Sequence, residues 1–233
     1  RKDRERYVTV SGIVGHGYAM SELVDEVNQA MPSISFPAGY MWSLGGTYED
    51  QQDTFTDLIT LMALMIILVF VIMASQFESL TYPFVIMFSI PFALVGVIVG
   101  LAITGTPMSV MALLGVLMLI GIVVNNGIVL VDYTILCRER GMSIFDAVVT
   151  GGRSRLRPIL MTTMTTVLGM IPMALGTGVG AEMWNPLGMS VAWGLSISTL
   201  ITLILIPTIY TSFAVHGENR RNKKLRKLQQ RNN

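Results

Sequence analysis

Asn125, Asn126 and Asp132 stand in the run Gly121–Asp132, which is otherwise apolar enough to cross a bilayer. Lipid solvates neither an amide nor a carboxylate, so such groups inside a span face other helices or a wet cavity and mark a pathway. At about 100° per residue, positions seven apart fall on nearly one stripe. Asn125 and Asp132 therefore share a helix face, roughly 10 Å apart along the axis, and Asn126 lies on the adjoining face. A later apolar segment carries Thr162, Thr165 and Thr166, with Thr162 and Thr166 a helical turn apart. This hydroxyl ladder opposes the amides if the two helices pack together. An Asn donates and accepts at once and a Thr hydroxyl rotates to suit. Such groups can hold water and change partners when a carboxylate elsewhere takes up or releases a proton.

Each of these positions has a plainer alternative. Amide and hydroxyl bonds between spans often only glue them together, at roughly 0.6 and up to about 2 kcal/mol each. A Thr can also bond its own helix backbone. Asp132 falls near the end of its span, where an interfacial or salt-bridged carboxylate is the competing account. Arg155 and Arg157 come just before Pro158, a residue suited to the first turn of a helix; topology and phospholipid headgroup contact account for Arg157.

The elements that position these groups are membrane spans. Hydrophobic residues make up 52% of the 233 and charged ones 13%, with 17 Met, and the mean hydropathy is +0.60. This is membrane composition. The single Cys137 excludes a disulfide within the chain, and two His without ligand-like spacing give no zinc or haem site. The sequence starts at Arg1 with no signal peptide before the first hydrophobic run, and it reads as a fragment of something longer.

Apolar windows of about 20 residues, the length that crosses roughly 30 Å of hydrocarbon, fall at 58–76, 83–103, 109–136, 158–177 and 187–214. Arg138, Arg140, Arg153, Arg155 and Arg157 crowd the connection between the third and fourth, and the tail after Gly217 is rich in Arg and Lys. The positive-inside rule puts both in the cytoplasm and residues 1–56 outside. The turns near 104–108 and 178–186 then lie outside, and 77–82 inside. In the external part, Tyr7–Ile13 and Tyr40–Leu44 read as strands. Between them Ser21 opens a short helix with Leu23, Val24, Val27, Ala30 and Met31 on one side. One β-α-β unit exposes strand edges and needs more sheet than it carries. Residues 47–57 read as a polar stalk.

Several collinear motifs resemble the C-terminal end of a resistance-nodulation-division (RND) efflux transporter, most closely the hydrophobe/amphiphile multidrug type. They are Gln76-Phe77-Glu78-Ser79-Leu80 with Tyr82-Pro83-Phe84, Asn126-Gly127-Ile128-Val129-Leu130-Val131-Asp132, Arg155-Leu156-Arg157-Pro158-Ile159-Leu160-Met161-Thr162-Thr163, and Gly169-Met170-Ile171-Pro172. The likeness runs nearly end to end, the basic tail excepted. It implies an α-helical polytopic fold: five transmembrane helices, the last of twelve, preceded by a partial α+β (β-α-β) periplasmic porter subdomain. The expected division is 1–56 porter end and stalk, 57–216 membrane region and 217–233 cytoplasmic tail.

The resemblance also implies a trimer in the bacterial inner membrane, driven by protons and using no cofactor. Its partners would be the N-terminal remainder of the transporter, a periplasmic adaptor, an outer-membrane channel and membrane lipids, with no nucleic acid. Asn125 and Thr162 fall where the family has relay residues, and Arg155 matches an Arg near the proton exit. Multidrug members of the best-known type carry Lys where this chain has Asn125, and the family's central aspartates lie on a span absent here. The usual description of coupling therefore does not carry over whole.

Gly96 and Gly100 form a small-xxx-small pair for close helix approach, and Pro91, Pro172 and Pro207 are positioned to kink their spans. Scattered Met residues fit adaptable packing better than soft-metal export. Trp184 fits an interfacial belt, His16 and Trp42 belong with the porter surface, and Cys137 is an interfacial Cys with acylation as its alternative. Three other functions compete: an RND-superfamily heavy-metal or lipid exporter, a non-catalytic membrane scaffold, and an intramembrane enzyme. The last lacks a nucleophile, base or metal set within the spans.

Overall fold

The computed structural model describes residues 8–12, 20–37, 39–45, 47–176 and 181–231. The chain divides into two compact units, Arg1–Asp53 and Thr54–Asn233.

In the first unit the expected helix forms as α1, Met20–Ala30, followed by a 3-10 turn at Met31–Ser33. Pro32 sits in the first positions of that turn, which has no side-chain cap, and the Ser33 hydroxyl donates to the Ala30 carbonyl at 2.6 Å. Val24 is the buried anchor of α1, while Leu23 is exposed. The two expected strands are not formed: residues 8–12 and 40–44 carry no ladder, and Tyr7 and Ile13 lie outside the described residues. A strand exists only against a partner edge, and Val8, Val10, Tyr40 and Met41 stand exposed with no strand partner among the described residues; the Tyr40 N–H instead donates to the Pro37 carbonyl at 3.1 Å. His16 also lies outside the described residues; Trp42 is half-buried.

The second helix, α2, runs Thr47–Gln76 and absorbs the segment expected to be a stalk. Residues 47–57 hold neither Gly nor Pro, and Glu49 and Asp50 sit in the first turn, where carboxylates complement the helix dipole. Five segments are long and apolar enough to span a membrane: Glu49–Gln76, Thr81–Thr104, Val110–Glu139, Ile144–Leu175 and Met183–His216. Each of the five expected windows lies within one of them, apart from end residues.

The second of these segments is two helices, α3 (Thr81–Met87) and α4 (Ser89–Thr104), parted at Phe88. Pro91 explains the break: it has no N–H for the Met87 carbonyl. After the left-handed Gly105 (φ 66) that ends α4, α5 spans Val110–Glu139, α6 Ile144–Leu175 and α7 Ala181–Arg231. The last helix thus starts before the expected residue 187 and continues through the basic tail.

A larger departure concerns α6. Its first turns were expected to be a basic loop, with Pro158 opening the helix; instead the helix begins at Ile144 and Pro158 lies inside it. Ser143 sets this start. Its hydroxyl oxygen accepts from the Asp146 N–H at 3.2 Å and its hydroxyl donates to the Asp146 carboxylate at 2.6 Å. Ser143→Ala should cost about 1 kcal/mol of local helix stability. Faster hydrogen exchange over residues 144–149, with the rest of α6 unchanged, is the expected observation.

In the second unit α7 is the common packing partner of α4, α5 and α6. Val97, Leu119, Ile120, Leu195 and Ile206 form part of one continuous core. Close approach depends on glycine, as the sequence pattern foretold for α4. A Cβ on Gly96 would lie 3.1 Å from the Gly194 Cα, and one on Gly100 would run into the Trp193 side chain. The helices α2 and α6 are peripheral. Met73 of α2 is buried, but Ile67, Leu68 and Ile72 face outward, as do Met161, Met164 and Leu168 of α6.

Candidate functional site

The helix α5 carries the amides through the middle of the bundle. Ser109 caps it, its hydroxyl oxygen accepting from the Ala112 N–H at 3.3 Å. Gly127 turns a bare backbone toward α3 and α7, since a Cβ there would lie 2.8 Å from Ile86 and 3.0 Å from Ile206. Packing this side of α5 inward leaves Asn125 and Asp132 exposed on the other. Asn126 is half-buried and lines a crevice with Val123, Ile159, Ser198, Thr199, Thr202 and Leu203. The two amides, adjacent in sequence, therefore serve different surroundings.

The expected threonine ladder is occupied on its own helix. The Thr162 hydroxyl donates to the Ile159 carbonyl at 2.9 Å, Thr165 to Met161 at 2.8 Å and Thr166 to Thr162 at 2.9 Å. The helix-crossing hydroxyl is the neighbouring Thr163, which is buried and meets Thr199 of α7 at 3.1 Å. The Arg155 guanidinium lies over the Tyr133 ring, 4.7 Å from its centre. Its Nε is buried without a hydrogen-bond partner. A cation over an aromatic face is held by the ring quadrupole, so α5 orients the arginine through Tyr133 rather than through Asp132.

Thr163, Ser198, Thr199 and Thr202 were missed in the sequence. Their signal was present: Ser198, Thr199 and Thr202 put hydroxyls at i, i+1 and i+4, a polar stripe in an apolar span. Among the described residues no cluster of three or more His, Cys, Asp or Glu is placed to hold a metal ion. Cys137 is buried, which leaves it inaccessible to acylation, and Trp184 is exposed at the start of its span.

Residues 1–214 match the AcrB/AcrD/AcrF family. The chain belongs to that family. Family relatives include the cobalt-zinc-cadmium resistance protein CzcA of Cupriavidus metallidurans, 38% identical over 90% of this chain and 20% of the relative. The multidrug resistance protein MdtC of Proteus mirabilis is 34% identical over 88% of this chain and 20% of its own. The swarming motility protein SwrC of Bacillus subtilis is 36% identical over 92% and 20%. A crystal structure of a heavy metal efflux pump superposes with a TM-score of 0.73 at 29% identity, covering 86% of this chain and 20% of that one. The chain thus spans about a fifth of the length of these relatives.

With relatives named for metal and for multidrug resistance alike, the likeness reaches the AcrB/AcrD/AcrF family and stops short of the multidrug type. Among the described residues, the outward polar face of α5 and the crevice lined by Asn126 both place polar groups within the apolar spans.

Proposed function

We propose that this chain is the C-terminal membrane portion of a proton-motive-force-driven RND efflux transporter. It would work by alternating access in the bacterial inner membrane, with residues 1–56 periplasmic and the basic tail cytoplasmic. The observation that carries this reading is the pair Asn125 and Asp132, exposed on one face of a helix whose other sides are packed in the core. Polar groups at membrane depth require protein or water around them. The N-terminal repeat of the same transporter would supply that cover, meeting α5 beside the bare apolar faces of α2 and α6.

In this arrangement carboxylates of the missing repeat bind the proton, and Asn125 serves them by hydrogen bonding. An amide lowers a carboxylate pKa less than a neighbouring cation does, so proton uptake would not require displacing an ion pair. The exposed β-type residues of the first unit are the edges of a porter sheet completed by sequence outside this chain. A homotrimer with a periplasmic adaptor and an outer-membrane channel is the assembly this reading calls for.

The substrate would be an amphiphilic compound. A second reading, export of a divalent metal cation, is favoured by the CzcA relative and the heavy metal pump structure. Liposomes containing the full-length protein under an imposed pH gradient separate the two. Gradient-dependent movement of an amphiphilic dye supports the first, and movement of Zn²⁺ or Co²⁺ with no dye flux supports the second. Absence of both proton flux and substrate movement overturns the transporter reading.

A further inference from the structure

Among the described residues seven Ser or Thr side chains are buried. Four of them, Ser89, Thr134, Ser190 and Ser198, bond to carbonyls of the same span. Thr163 and Thr199 bond to each other. Thr202 is the exception: it is 4% exposed and its hydroxyl has no partner. A buried hydroxyl left without a hydrogen bond is destabilising, and native structures keep such groups few. Each one requires an explanation.

The surroundings of Thr202 supply one. It lines the same crevice as Asn126 of α5. The Asn126 side chain, which forms no hydrogen bond among the described residues, has both a donor and an acceptor to offer. Two uncommitted polar groups thus share one crevice between α5 and α7. The other hydroxyls lining it, Ser198 and Thr199, are already engaged.

We propose that Thr202 is the alternate hydrogen-bond partner of Asn126. The two groups are apart in the conformation described here and joined in another conformation of the transport cycle, so that α5 and α7 lock by one bond and unlock by losing it. Both are positioning residues. None of the seven residues lining the crevice titrates. The ionisable positions nearest in sequence on the helices that form it are Asp132 on α5, Arg157 on α6 and His216 on α7. Protonation elsewhere would move α5, and the Asn126–Thr202 contact would report that movement to α7. This proposal rests on the transport reading for its role and on the unpartnered hydroxyl for its site.

The test uses the full-length protein in liposomes. Thr202→Val keeps the shape and removes the hydroxyl, so thermal stability should be unchanged or raised. Turnover should fall about tenfold with KM unchanged, and Thr202→Ser should restore it. The double variant Asn126→Ala/Thr202→Val should be no slower than the slower single one, the signature of a shared interaction. Wild-type turnover in Thr202→Val, or a loss of stability that parallels the loss of turnover, overturns the proposal.

A second measurement does not depend on flux. With Cys137→Ser as background, Asn126→Cys/Thr202→Cys is cross-linked by dibromobimane with and without an imposed proton gradient, calibrated against Thr163→Cys/Thr199→Cys. A change of about threefold in relative yield is expected on shifting the conformational population, and equal yields overturn the proposal. If the wild type carries no flux, the transport reading fails while the cross-link still decides the partner exchange.

Discussion

Gly188→Val should force α6 and α7 apart at their closest contact and destabilise the helical bundle. A Cβ on Gly188 would lie 2.7 Å from the Ala174 backbone nitrogen, 3.0 Å from its Cα and 3.1 Å from the Met173 carbonyl carbon. These are helix backbone atoms, which yield far less readily than a side-chain tip. The Asn185 side-chain amide also donates to the Ala174 carbonyl at this point, so separating the helices breaks a hydrogen bond as well. Overpacking of this kind costs about 1–3 kcal/mol, and a branched residue in an obligatory backbone contact belongs at the upper end. Thermal aggregation of the purified full-length protein should begin several degrees lower, with reduced yield. Gly169→Ala is the control. Nothing lies within 4 Å of its added Cβ, and Ala in a helix interior is worth roughly 0.5–1 kcal/mol over Gly, so stability should hold or rise.

Asn125→Leu should have the largest effect on activity with the least effect on folding. Asn125 is exposed and forms no hydrogen bond with the described residues, so Leu disturbs no packing within this chain. Losing the amide should slow turnover about tenfold or more, equivalent to at least about 1.4 kcal/mol of barrier, while assembly is unchanged. Equal turnover would leave Asn125 a helix-packing residue only. Asn125→Lys tests the electrostatics. A cation beside the carboxylates proposed to bind the proton would lower their pKa, so that loading them would require a lower pH. The alkaline limb of the transport profile, where loading fails, should therefore move to lower pH, and an unmoved limb would place those carboxylates away from α5.

Periodicity and composition made the spans legible in the sequence, because about 20 consecutive apolar residues have few other structural uses. The close approach at Gly96 was legible too, since a missing side chain at helical spacing has a direct geometric meaning. The helix starts were harder. The basic residues before Pro158 resembled a loop, yet Ser143 and Asp146 form a local cap that outweighs the charge pattern. Strand propensity at 8–12 and 40–44 was legible, but the ladder is not a local property and depends on a partner edge. At the candidate site the sequence singled out α5 and could not tell which face of α6 meets which neighbour. Thr162 and Thr163 are adjacent and chemically identical, and only packing decides that Thr163 crosses to α7 while Thr162 turns back on its own helix.

The length of α7 has a mechanical consequence. As one helix from Ala181 to Arg231, it measures roughly 75 Å at about 1.5 Å per residue, more than twice the hydrocarbon thickness. Pro186 and Pro207 are the points where such a rod bends most easily, and Thr202 lies just before the second of them. A small rotation at the level of Thr202 would become a larger sweep at the far end, about 40 Å further along the axis. The basic end of the chain is therefore the natural place to attach a probe, because a rotation at Thr202 would be amplified there.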